Sequence, residues 1–163
     1  MTFEPLLNAP IAIQVHVAAV VPAALLGAYL LLRPKGTPGH RLLGKIWLCL
    51  MVITALSSFF IHQINMFYGF SPIHLLSLYV LFGCWGAIVN ARNHNIKAHK
   101  RIVRGLYFGG IVGAGIFTFI PGRMMNKIVF TGDEIAPFAV LAAIALVLLW
   151  AVSKELWHRR RLT

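Results

Sequence analysis

Long runs of apolar residues, at about 10–32, 42–66, 72–91, 102–120 and 135–153, divide the chain into five. Each is roughly 20 residues long, and at ~1.5 Å of rise per residue that is enough to cross ~30 Å of hydrocarbon as one helix. The segments between them are short and carry Pro34, Gly36, Pro38, Gly39 and Pro72, residues that interrupt helices and favour turns. Consecutive helices are therefore expected to be antiparallel neighbours. The pattern predicts an all-α membrane protein with five transmembrane helices. The first four hold nearly all the polar residues and are expected to form a four-helix bundle. The fifth reads PFAVLAAIALVLLW, with no His and no charge, and is expected to pack on the periphery. With no repeat, low-complexity tract or second domain, residues 1–163 read as one transmembrane domain.

Composition strengthens this reading. The chain is 59% hydrophobic and 12% charged, an apolar load that a soluble core of this length does not hide. The net charge of +11 would ordinarily suggest a nucleic-acid partner, but thirteen of the fifteen Lys and Arg fall in three clusters on one side of the apolar runs. These are Arg33, Lys35, Arg41 and Lys45; Arg92, Lys97, Lys100, Arg101 and Arg104; and Lys154, Arg159, Arg160 and Arg161. The positive-inside rule makes that side cytoplasmic, with the amino terminus outside and the carboxyl terminus inside. The lipid bilayer is the expected partner, and nucleic acid is not. Glu4 is the only charge before Arg33, so the first run lacks a basic leader and is expected to be a retained span. Cys49 and Cys84 lie inside apolar runs, without metal-site or disulfide spacing.

Carboxylates are missing from the apolar runs: Glu4, Asp133, Glu134 and Glu155 lie outside them or at their ends. Paired-acid catalysis and carboxylate-driven ion transport lose their usual parts. Histidine is in surplus, with seven in the chain. His16 lies 16 residues before Leu32, His62 lies 17 after Lys45, and His74 lies 17 before Ala91. All three come out ~24 to 26 Å from the basic end of their helices and form one layer near the outer face. His40 and His99 open the second and fourth helices and form a second layer at the basic end. His94 falls in a connection and is expected to be solvated.

In an up-down bundle the first and third helices are diagonal, as are the second and fourth. Diagonal imidazoles can grip a planar ring from both faces, so His16 with His74 would hold an outer haem b and His40 with His99 an inner one. Gly44, Gly110 and Gly113 would leave room for a flat ring. Arg123, after Pro121 and Gly122, would neutralise a propionate or an anionic substrate. The alternative is a three-imidazole copper or zinc site made by His16, His62 and His74, with sulfur from Met66, Met124 and Met125 in the copper case. The plainest alternative has the histidines interfacial, with Gly105, Gly109 and Gly113 serving close helix packing.

The runs Lys35 to Gly44 (KGTPGHRLLG) followed by Trp47, Phe70 to Ser77 (FSPIHLLS), and His99 with Arg104 and Phe117 to Arg123 (FTFIPGR) resemble a bacterial family of membrane proteins. It is catalogued as domain of unknown function 2306. The resemblance covers most of the first four helices and implies a bacterial inner-membrane protein, without an activity. In architecture the histidine layers are also similar to two-haem transmembrane cytochromes b, which hold haems between diagonal helices near opposite faces. These readings converge on a haem b-binding electron-transfer protein, passing electrons from a quinol or cytoplasmic reductant to an outer acceptor. The alternative from another class is a non-catalytic accessory protein, either a metal binder or a subunit of a larger complex.

Overall fold

A computed structural model describes residues 4–61 and 72–118. Among these residues every regular element is helical and there is no strand. The elements are α1 (Glu4–Leu7), α2 (Ile11–Leu32), α3 (Pro38–Ser58), α4 (Pro72–Arg92) and α5 (Ile96–Gly105). α5 runs directly into a π-helical segment (Leu106–Gly113), which is followed by α6 (Ala114–Thr118). The chain divides into two units, Leu6–Ala114 and a second made of Met1–Pro5 with Gly115–Thr163. In the second, Glu4–Pro5 and Gly115–Thr118 are described and are helical, with the Thr118 hydroxyl donating to the Gly115 carbonyl at 2.8 Å. The expected fifth helix, at 135–153, lies outside the described residues.

Among the described residues three helices are long and apolar enough to cross a membrane: Ile11–Leu32, Pro38–Ser58 and Ile73–Arg92. Three boundaries differ from the hydropathy reading, and caps explain the two at helix starts. α3 begins at Pro38 instead of 42, because Thr37 is its N-cap: the Thr37 hydroxyl accepts the His40 backbone N–H at 3.1 Å. Pro38 follows at the first helical position, where a missing N–H costs nothing. The fourth helix likewise begins at Ile96 instead of 102, with the Asn95 side chain accepting from the Ala98 N–H at 3.2 Å. At its other end α3 stops at Ser58, and the N–H groups of Phe59, Phe60 and Ile61 close back on Leu56, Ser57 and Ser58. Expected helical residues 62–66 lie outside the described residues.

The α4–α5 turn is a Schellman closure. The Asn95 N–H reaches the Asn90 carbonyl at 2.9 Å and the His94 N–H reaches Ala91 at 3.3 Å. His94 takes the left-handed conformation this requires, with φ 55°, and is exposed, as a solvated loop residue should be. Gly36, with φ 89°, plays the corresponding part in the α2–α3 turn.

Within Leu6–Ala114, α2 packs along α3, α3 on α4 and α4 on α5, while the π segment touches both α2 and α4. Residues three and four apart share a helix face, and the buried positions follow that spacing: Trp47, Met51 and Ala55 on α3, Val80, Cys84 and Ala87 on α4. Large apolar side chains face outward instead: Leu25 is 71% exposed, Phe82 69% and Trp85 68%. Large apolar side chains turned outward suit a helix set whose solvent is lipid. Polar groups on the packed faces find backbone partners. Trp47 Nε1 donates to the Ala23 carbonyl at 2.9 Å, and the Tyr107 hydroxyl to the Ala24 carbonyl at 3.2 Å, tying α2 to α3 and to the π segment.

Gly27 makes this closeness measurable. A Cβ there would lie 2.6 Å from Trp47 Nε1 and 2.6 Å from the Tyr107 ring. Neither ring can swing away without losing its bond to α2. Gly27→Ala should therefore destabilise the protein by ~1–3 kcal/mol. Gly44→Ala, with nothing within 4 Å of its Cβ, should be neutral or slightly stabilising. Thermal unfolding of the two variants in detergent checks this, and equal melting temperatures would contradict the packing described.

Candidate functional site

The chain turns back between α2 and α3 and again between α4 and α5, so the ends of these four helices gather at two levels. At one level stand the N-terminal part of α2, the C-terminal turn of α3 and the first turns of α4. Here His16 Nδ1 meets the Thr54 carbonyl at 3.0 Å and the Ser57 hydroxyl at 3.2 Å. A carbonyl oxygen only accepts, so Nδ1 carries the proton and Nε2 keeps its lone pair. The Ser57 hydroxyl donates to the same carbonyl at 3.0 Å, which steadies the acceptor.

Ser58 continues this polar belt. Its hydroxyl contacts the Ala55 carbonyl at 2.7 Å and makes a buried hydrogen bond with the Ser77 hydroxyl, linking α3 to α4. Ser77 also meets the Ile73 carbonyl at 2.8 Å. One turn before Ser77 on the same face is His74, 4% exposed, with the Phe59 ring 5.6 Å away centroid to centroid. The expected layer of His16 and His74 is thus approached from both sides of α3: Ser57 meets His16, and Ser58 meets Ser77, one turn from His74.

His62, Met66, Arg123, Met124 and Met125 lie outside the described residues. Among the described residues no three His, Cys, Asp or Glu side chains come together as a metal site.

The other level carries the basic residues and the second histidine pair. His99, in the first turn of α5, donates from Nδ1 to the Ala87 carbonyl of α4 at 2.9 Å. Its Nδ1 is therefore committed as that of His16 is, and Nε2 has no hydrogen-bond partner among the described residues. His40, in the first turn of α3, lies within electrostatic reach of His99 and Lys35. Its Nδ1 is enclosed without a partner among the described residues, so no carbonyl orients this ring.

The expected clearance for a flat ring needs correction at one glycine. A Cβ on Gly110 would lie 3.2 Å from Val80 and 3.6 Å from Met51, so that space is already filled by side chains. Gly113 faces only the Phe108 backbone, and Gly44 is open. Between the two histidine levels Ala23, Met51 and Leu106 are buried to within 1% of complete exclusion. Haem fits the donor chemistry, since an imidazole oriented through Nδ1 is what axial ligation requires. The filled middle of this unit leaves no room for it there.

Sequence reasoning passed over Thr54, Ser57, Ser58 and Ser77, because isolated hydroxyls inside an apolar run barely alter hydropathy. The signal available was spacing: Ser77 stands one turn from His74, and a Ser-Ser pair closes α3.

All-helical structure, three spans of crossing length and outward-facing apolar side chains define a helical membrane protein. A family model described as predicted membrane protein (DUF2306) matches residues 13–157, and the chain belongs to this family. No curated protein and no solved structure matches it. None of these comparisons shows a likeness to two-haem cytochromes.

The Ser58–Ser77 bond should couple α3 to α4. A double-mutant cycle with Ser58→Ala and Ser77→Ala, read by unfolding in detergent, should give a coupling of about 0.6 kcal/mol, the usual size for such bonds in lipid. A coupling indistinguishable from zero would remove the belt as a link between the helices.

Proposed function

We propose that this protein is a haem b-binding electron carrier of the bacterial inner membrane, with five spans around a four-helix core, its amino terminus outside and its carboxyl terminus in the cytoplasm. The observation that carries the reading is the orientation of His16. Its Nδ1–H is anchored on a neighbouring helix's backbone, which would leave Nε2 to ligate, and a second, buried imidazole, His74, lies one turn from Ser77 of the hydroxyl belt.

In this reading His16 and His74 would hold an outer haem, and Arg123 would neutralise a propionate. When bound, haem b supplies a one-electron couple. The chain's own part is to hold the ligands. Ser57 fixes the acceptor of the His16 bond, Ser58 and Ser77 tie the ligand-bearing helix α4 to α3, and Phe59 covers the His74 ring. His62 would meet a ligand or acceptor at the mouth. His99 has the orientation for a second haem at the cytoplasmic end, with His40 as its diagonal partner. A quinol or a soluble reductant would donate electrons there.

Purified protein should show a Soret band and a reduced alpha band. His74→Ala or His16→Ala should abolish the outer chromophore, while His62→Ala leaves the spectrum nearly intact. Haem-free protein of unchanged helicity and melting temperature would contradict the reading. Equal loss from all three variants, with copper or zinc found by metal analysis, would replace it with the three-imidazole site. Two haems per chain would place His40 and His99 in the inner pair, and one would restrict the protein to its outer face.

Orientation has a separate test. A reporter active only outside the cytoplasm should be silent when fused after Thr163 and active when inserted between Asn126 and Asp133. The reverse pattern would overturn the assignment.

A further inference from the structure

At the basic level a cleft of about 280 Å³ opens between the end of α2 and the start of α3. Its polar lining comes from Tyr29, Arg33, Thr37 and His40, and Leu30 and Leu43 form apolar wall. Arg33 is held in place rather than free to wander. Its Nε donates to the Tyr29 hydroxyl at 3.0 Å, and its guanidinium lies 5.1 Å from the centroid of the same ring. With Nε committed, the terminal nitrogens of the fork remain, and none has a partner among the described residues. The Thr37 hydroxyl accepts the His40 backbone N–H, so its own proton is available to donate. The same holds for the Tyr29 hydroxyl, which accepts from Arg33. His40 has Nδ1 enclosed, which leaves Nε2 as the nitrogen able to meet a ligand.

The cleft thus presents a fixed guanidinium, two hydroxyl donors and an imidazole, and its lining contains no carboxylate. No Asp or Glu occurs between Glu4 and Asp133, while Arg33, Lys35, Arg41, Lys45, Arg92, Lys97, Lys100, Arg101 and Arg104 all fall in that stretch. The positive charge at this level has to be balanced by anions from outside the described residues. A planar guanidinium fork beside hydroxyl donors matches the oxygens of a phosphate. The apolar wall of Leu30 and Leu43, next to helix ends of spanning length, matches what is attached to a phosphate in a membrane. Basic pockets between helices at this depth bind anionic lipid headgroups.

We propose that the cleft between α2 and α3 is a binding site for the phosphate of an anionic phospholipid, with Arg33 as its principal contact and Thr37, Tyr29 and His40 as supporting donors. The bound lipid would lie along the α2–α3 hairpin and brace the turn at Gly36. Free inorganic phosphate shares the headgroup chemistry but lacks the apolar part that the wall accommodates.

The test uses full-length protein in neutral detergent, titrated with short-chain phosphatidylglycerol, short-chain phosphatidylcholine and inorganic phosphate, with binding read by calorimetry. Phosphatidylglycerol should bind at least about tenfold more tightly than either of the others. Arg33→Gln should weaken it about tenfold, within the 1–3 charge-assisted hydrogen bonds such a contact supplies. Arg41→Gln removes an equal charge at the same level but does not line the cleft, and should leave the affinity unchanged. Leu43→Trp narrows the cleft with every charge retained, and should weaken binding as Arg33→Gln does even if that variant folds poorly. Equal losses from Arg33→Gln and Arg41→Gln would overturn the site in favour of diffuse attraction. Inorganic phosphate binding as tightly as the lipid, or phosphatidylcholine doing so, would overturn the anionic-lipid assignment.

Discussion

Every polar group on a packed helix face in lipid has to find its partner within the protein, because no water competes for it. In this chain the solution recurs in one form: a ring N–H or phenol on one helix donates to a backbone carbonyl on another. His16 donates to Thr54, Trp47 to Ala23, Tyr107 to Ala24 and His99 to Ala87. These four bonds stitch α2 to α3, α2 to the π segment and α4 to α5, and they fix the register between helices whose apolar surfaces carry little directional information. They also explain the small residues. Gly27 is needed because Trp47 and Tyr107 both lie against α2 to reach their carbonyls.

The same device orients chemistry. A histidine that spends Nδ1–H on a carbonyl offers Nε2 as a base or ligand, and the structure does this at both levels of the unit, once with His16 and once with His99. Packing and ligand presentation are here one interaction. The tightly filled middle, centred on Met51 and Leu106, means that any planar cofactor belongs at the ends, where hydroxyls and imidazoles replace aliphatic side chains. His40 has no such carbonyl, and its one accessible nitrogen, Nε2, can serve either an inner haem or the anionic headgroup proposed for the cleft, but not both at once.

Much of this was legible in the sequence, and the rest was not for identifiable reasons. The apolar runs marked α2, α3 and α4 because crossing a bilayer demands length, and length is easy to count. Counting along those runs also put His16 and His74 at one depth and His40 and His99 at another. Helix starts were misjudged by several residues at Thr37 and Asn95, since capping occurs in polar flanks where hydropathy is blind. The π segment was invisible: its glycines read as close-packing positions, and nothing in Leu106–Gly113 announces a wider turn. Gly110 illustrates the ambiguity, because a glycine that leaves room for a ring and one that admits Val80 and Met51 look alike in a sequence. The Ser57, Ser58 and Ser77 belt was missed because its meaning lies in pairing across helices.

The central claim is that His16 and His99 are held as Nδ1–H tautomers with Nε2 presented as a free lone pair. Nitrogen-15 magnetic resonance of histidine-labelled protein in bilayers tests it directly, with His16→Gln and His99→Gln used to assign the signals. The account predicts that both residues show a protonated, hydrogen-bonded Nδ1 in haem-free protein, and that Nε2 of His16 responds when haem b is added. An Nε2–H tautomer at His16, or a signal averaged between tautomers, would contradict the account.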